Sequence, residues 1–185
     1  MQRTWTRRTC PGAVACALLL LAGCVPASKY NNMLQQQTVL ENSLRSEIAS
    51  DQVKIQQLEN GVRVSMADAL LYRSGSVELH PPGRAALDKV AGNLSNMVSQ
   101  GFQIDVTGNT DDVPIGAELA ERYPTNWELA GARAAVVVRY LQAQGVDPGA
   151  LLAISAGQYH PVGPNDTPAG RAANRRTEIV VRPTH

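Results

Sequence analysis

At 185 residues the chain is long enough for one core and too short for two full-sized domains. Its formal charge is +1, but Arg3, Arg7 and Arg8 stand in the first nine residues and no acidic residue precedes Glu41; residues 24–185 hold 14 basic and 16 acidic residues, a net charge of −2. That balance excludes the basic footprint of a nucleic-acid binder, and because Cys10, Cys16 and Cys24 are the only cysteines, residues 25–185 have neither a disulfide framework nor a cysteine metal site.

The first segment is an address. Three arginines, the apolar run Ala13 to Leu21 and the small residues before Cys24 form the charged, apolar and cleavage regions of a secretory signal over residues 1–23. The run is well short of the ~20 residues that span a bilayer. Thr9-Cys10-Pro11 after Arg7-Arg8 supplies none of the hydrophobic residues of a twin-arginine signal. Leu21-Ala22-Gly23-Cys24 resembles the lipobox of bacterial lipoproteins, which implies that Cys24 is lipidated and heads a short anchored stretch, residues 24–27. Acyl chains contribute ~0.8 kcal/mol per buried methylene, enough for stable anchoring when two or three are attached. Val25 rather than aspartate after the cysteine favours, by the same resemblance, the outer membrane with the rest of the chain facing the periplasm.

Residues 28–61 contain no proline, and no glycine before Gly61. Apolar residues at Tyr30, Met33, Leu40 and Leu44, then at Ile48, Ile55, Leu58 and Val62, follow a near-heptad with a four-residue stutter. A helical spacer is expected here, either a thin coiled coil or an amphipathic helix lying on its own domain or a partner. As one rod it would reach about 50 Å, with Gly61 as its break.

The folded domain is expected over residues 62–185. Val62, Val64 and Met66 alternate as a first strand. Pro81-Pro82 open a helix that Gln100-Gly101 close. Phe102, Ile104 and Val106 alternate as a second strand leading into Gly108-Asn109-Thr110-Asp111. Thr125 to Glu128 offers a capping box for a helix ending at Gly145. Asp147-Pro148 caps a turn before a strand over Leu152 to Ser155, and Thr177, Ile179 and Val181 form the last strand. This βαβαβ-loop-β order implies an α/β fold, a mixed-sheet sandwich with helices on one face. One Phe, two Trp and five Tyr leave an aliphatic core and argue against an aromatic binding platform.

Gly108-Asn109-Thr110-Asp111, Asn126-Trp127-Glu128-Leu129, Arg133-Ala134, Asn165-Asp166-Thr167-Pro168 and Gly170 to Arg176 occur in the order found in the OmpA-like C-terminal domain family, which residues 62–183 resemble. Asp112-Val113-Pro114-Ile115 and the long loop after it are most similar to the periplasmic domains of the MotB type. Asn109 stands where the family has His, Ala130 where Ser is usual, and Ala156 where Gly is common. The resemblance implies non-covalent binding of peptidoglycan through the diaminopimelate of its stem peptide. Asp111 is then expected to pair with the ligand ammonium and Arg133 to grip a carboxylate, the planar guanidinium fork suiting two parallel bonds. Both are expected to be exposed at a rim. Thr110 and Asn126 are second-tier candidates, equally able to cap backbone groups. Asn174, Arg175 and Arg176 are read either as a pocket wall or as residues that fix the Asn165 to Gly170 loop.

A cell-wall hydrolase is the first rival. His80, His160 and His185 lack metal-ligand spacing, no Gly-x-Ser-x-Gly elbow occurs, and adjacent Asp111 and Asp112 are not thereby an acid/base pair; neither turnover nor a cofactor is expected. A stator subunit is the second, but the sole apolar N-terminal segment carries no carboxylate. The remaining alternative keeps the wall-binding domain and makes it position a partner within a larger envelope machine, through residues 28–61.

Overall fold

The computed structural model describes residues 27–184, with side chains from Leu34 onward. The leader over 1–23 and Cys24 lie outside the described residues. Among those described, no helix is long and apolar enough to cross a membrane.

Helices α1 (Ala27–Ser43) and α2 (Arg45–Ala49) lead into the hairpin of β1 (Val53–Leu58) and β2 (Gly61–Ala67). A one-turn helix α3 (Asp68–Leu71) and the long α4 (Pro81–Ser99) precede β3 (Phe102–Asn109). Next come a short α5 (Ala117–Ala120), the long α6 (Asn126–Ala143), β4 (Leu151–Gly157), α7 (Pro168–Asn174) and β5 (Arg176–Pro183). The sheet order is β1-β2-β5-β3-β4. Only β3 and β4 run parallel, joined by the α6 crossover that parallel strands require.

The mixed α/β sandwich agrees with the expected fold class, with one difference at its start. Residues 28–61 are not one helical spacer. The helix stops at Ala49, where Asp51 adopts a left-handed backbone (φ 55°) and the Gln52 amide donates back to the Glu47 carbonyl. Val53 to Leu58 then pair with β2, so the sheet has five strands where four were expected. Gly61 is a break, but between strands: a Cβ there would stand 2.1 Å from the Val181 carbonyl oxygen of β5. Of the two placements expected for the helix, α1 takes the one on its own domain: Leu40, and Leu44 at the turn into α2, are buried in the same cluster as Val62, Val64 and Met66.

That cluster is aliphatic. Leu87, Leu94 and Met97 of α4 meet Ile104 and Val106 of β3 and Ile179 of β5. The opposite face of the sheet carries charge pairs: Glu178 lies between Arg176 (2.8 Å) and Arg63 (3.5 Å), and Asp105 pairs with Arg182 (2.6 Å). β3 passes so close to α6 that a Cβ on Gly108 would be 2.1 Å from the Ala130 carbonyl oxygen. That approach brings the end of β3 beside α6, and with them the candidate residues.

Candidate ligand-binding site

β3 ends at Asn109, and Thr110 and Asp111 follow it, all three buried. The Thr110 amide donates to the Gly157 carbonyl, tying this turn to the end of β4 (2.8 Å). The expected capping box of α6 is present, Thr125 and Glu128 bonding each other's backbone and side chain. Asn126, the next residue, turns inward and donates to the carbonyls of Asp111 and Val113 (both 3.2 Å) and to Gln158 Oε1 (2.8 Å). It clamps the loop that carries Asp111.

Asp111 and Arg133 are not exposed at a rim. Their relative exposures are 7% and 8%, because each already has an internal counter-ion. Arg175 Nη1 reaches Asp111 Oδ2 at 2.5 Å, and Arg133 Nη1 reaches Asp68 Oδ2 at 2.6 Å. Charges are drawn below the surface at tolerable cost only when paired and hydrogen-bonded, and here both conditions hold. Arg133 also donates from Nε (3.3 Å) and Nη2 (3.2 Å) to the Ser76 carbonyl, and its guanidinium lies 5.1 Å from the Tyr72 ring centre. Three of the five guanidinium N–H groups are thereby used within the chain, leaving two.

Asp68 ties the pairs together. Its amide donates to the Arg175 carbonyl (3.0 Å), and Thr177 Oγ1 donates to its Oδ1 (3.4 Å). The Tyr72 hydroxyl donates to the Arg133 carbonyl (3.0 Å) and lies 3.1 Å from Thr177 Oγ1. Burial pushes the Asp68 carboxyl up from its ordinary 3.8 to about 6, with the Arg133 guanidinium pulling the other way. Burial, aided by the Asp68 charge, pushes the Tyr72 phenol well up. Two ion pairs, Asp111–Arg175 and Asp68–Arg133, are thus linked through the Asp68 amide on the Arg175 carbonyl.

The Asn174 to Arg176 run divides by direction. Asn174 is fully buried, accepts the Val162 and Gly163 amides (2.8 and 2.9 Å) and donates to the Gly163 carbonyl and Asn165 Oδ1, so its side chain fixes the loop. Arg175 faces Asp111 with its side chain 44% exposed. Arg176 belongs to the other face, on Glu178 and the His160 carbonyl. Asp68, Tyr72, Ser76 and Thr177 were not anticipated; as single polar residues beside strands they look like ordinary loop or ladder positions. Trp127 and Tyr159 stack at 5.2 Å near Asn126, both largely exposed. Among the described residues no group of three or more His, Cys, Asp or Glu is placed to hold a metal.

Residues 71–175 match the OmpA family, more than half of the chain and all of the β3–α6 part of the site. The chain belongs to the OmpA family. Outer membrane protein A of Bordetella avium is 38% identical over 56% of this chain and 48% of its own length. Among solved structures, a MotB-like protein from Desulfovibrio vulgaris superposes with a TM-score of 0.75 at 25% identity, covering 85% of this chain and 98% of that one. The cell wall anchor of the T6SS from Pseudomonas aeruginosa gives 0.70 at 32% identity, over 78% and 97%. The chain spans 48–60% of the length of the first three curated relatives it matches.

Proposed function

We propose that this OmpA-family chain binds peptidoglycan non-covalently through the diaminopimelate of the stem peptide, and that lipidation at Cys24 anchors it in the outer membrane so that envelope and wall are tethered. The observation that carries the ligand reading is the pairing at the sheet end. A zwitterionic amino-acid centre needs an acceptor and a donor fork side by side, and Asp111 pairs with Arg175, whose carbonyl holds Asp68, the partner of Arg133, which has two N–H groups to spare. The ligand ammonium takes Asp111 in exchange for Arg175, whose side chain is the most exposed of the four, and the ligand carboxylate takes the free N–H groups of Arg133. Thr110 and Asn126 hold the Asp111 turn, Asn174 holds the neighbouring loop, and the freed Arg175 turns to the carboxylate side.

Likeness to a solved cell wall anchor supports this reading. It equally favours the alternative in which the domain positions a partner in a larger envelope machine. Neither reading involves a catalytic step. The deciding experiment is co-sedimentation with purified sacculi. Asp111→Asn and Arg133→Lys, chosen to keep the buried sites filled, should each lose wall binding while melting close to wild type. Full binding by both variants would remove this site.

A further inference from the structure

Asp68 is a fully paired acid that the proposed binding step does not use, yet it touches the group that does. Its carboxylate meets Arg133 Nη1 at 2.6 Å, inside the domain and 6% exposed. Around it stand Arg133 from α6, Arg175 between α7 and β5, and the Tyr72 phenol beside α3, and the charge of Arg176 reaches it from the start of β5. Thr177 Oγ1 of β5 and the carbonyl of Arg175 just before it fix its position. A carboxylate arriving on the two unused N–H groups of Arg133 would therefore share one guanidinium with a second anion.

We propose that Asp68 is a positioning and tuning residue of the ligand site: its oxygen holds the Arg133 fork in place, and its charge weakens the fork's hold on an incoming carboxylate. This rests on the reading of Arg133 as the carboxylate grip. Position and charge are separable, since a neutral acid or an amide still accepts from Nη1 while carrying no competing charge. Two like charges on one guanidinium in a poorly solvated place repel strongly enough to matter. Burial lifts the Asp68 carboxyl to about 6, so its charge is lost just below neutral pH. The ligand's own α-carboxylates stay ionised there. Binding should consequently tighten as pH falls from 7.5 to 5.5, and by linkage the complex should take up a proton.

The test uses the full chain in detergent and the synthetic tripeptide L-alanyl-γ-D-glutamyl-diaminopimelate, titrated by calorimetry at pH 7.5, 6.5 and 5.5 in buffers of differing ionisation enthalpy. For wild type the affinity should rise roughly three- to tenfold across that range, with proton uptake at pH 6.5. D68N should bind at pH 7.5 at least as well as wild type does at pH 5.5, with a flat profile and no proton uptake. D68L fills the space without an acceptor and should bind weakly at every pH. The D68N arm also separates Asp68 from the three histidines, which it leaves in place. A wild-type profile that is flat and proton-neutral would overturn the proposal, as would an unchanged pH dependence in D68N. Should D68N fail to fold, the full chain with H80Q, H160Q and H185Q together takes its place: proton uptake that persists there supports the proposal, and its loss overturns it. Tripeptide binding without pH dependence removes Asp68's role alone, whereas no binding by wild type at any pH removes the wall-binding reading as well.

Discussion

Arg133 and Asp68 hold each other below the surface, and truncating either leaves a buried charge. Removing one partner of such a pair costs about 3–5 kcal/mol, so Arg133→Ala should destabilise by that order in denaturant unfolding. A loss of under 1 kcal/mol would mean that water reaches Asp68 and that the pair contributes little. The sign of the pH effect follows from the same carboxyl. Asp68 binds its proton more tightly folded than unfolded, so its contribution to stability is full below about 3.8 and is lost as pH rises through about 6. Asp68→Asn should remove that downward step between pH 4 and 6, which unfolding curves across the range would show. Asp111 and Arg133 were legible as candidates from their motifs. Their burial was not, because the counter-ions lie 64 and 65 residues away in sequence, and no local pattern marks Asp68 or Arg175 as the partner.

The segment before β2 shows where periodicity stops being informative. Leu40, Leu44 and Ile48 recur every four residues and lie on α1, at the turn into α2 and on α2, whereas Val53 and Ile55 recur every second residue and lie on a strand. Read as one series they imitate a stuttered heptad, since short apolar runs fit both periods. The helical part was legible and its packing partner was not. Leu40→Ala and Leu44→Ala each test that packing: both side chains are fully buried, so each should cost about 2–5 kcal/mol. A free spacer would lose almost nothing, and changes within 0.5 kcal/mol would detach α1 from the domain. The long elements were well foreseen, because α4, α6, β3 and β5 each carry an unambiguous period or cap. The β1–β2 hairpin closes at Leu58 and Gly61, and the reason for a glycine there, the Val181 carbonyl oxygen of β5 that a Cβ would strike, lies across the sheet where no window of sequence contains it.

At the scale of the whole molecule, α1 and α2 belong to the folded unit, so an anchor at Cys24 would hold the domain near the membrane rather than on a rod of about 50 Å. Deleting residues 40–49 should therefore unfold the domain instead of shortening a reach, and a soluble, cooperatively melting product would argue otherwise. Replacing Cys24 by Ser should abolish acylation and release a periplasmic form; the absence of acyl label on wild type would contradict the anchor. A single site using one Asp and one Arg supports only modest affinity, each charge-assisted bond contributing ~1.5–3 kcal/mol. Under the proposed function, firm attachment would then come from many anchored copies facing a repeating polymer. The most direct measurement is paired co-sedimentation of the chain with walls carrying diaminopimelate and walls carrying lysine in its place. Lysine keeps the ammonium for Asp111 and lacks the second carboxylate for Arg133. Retention on the first and loss on the second is the expected result, and equal retention on both would contradict the assignment.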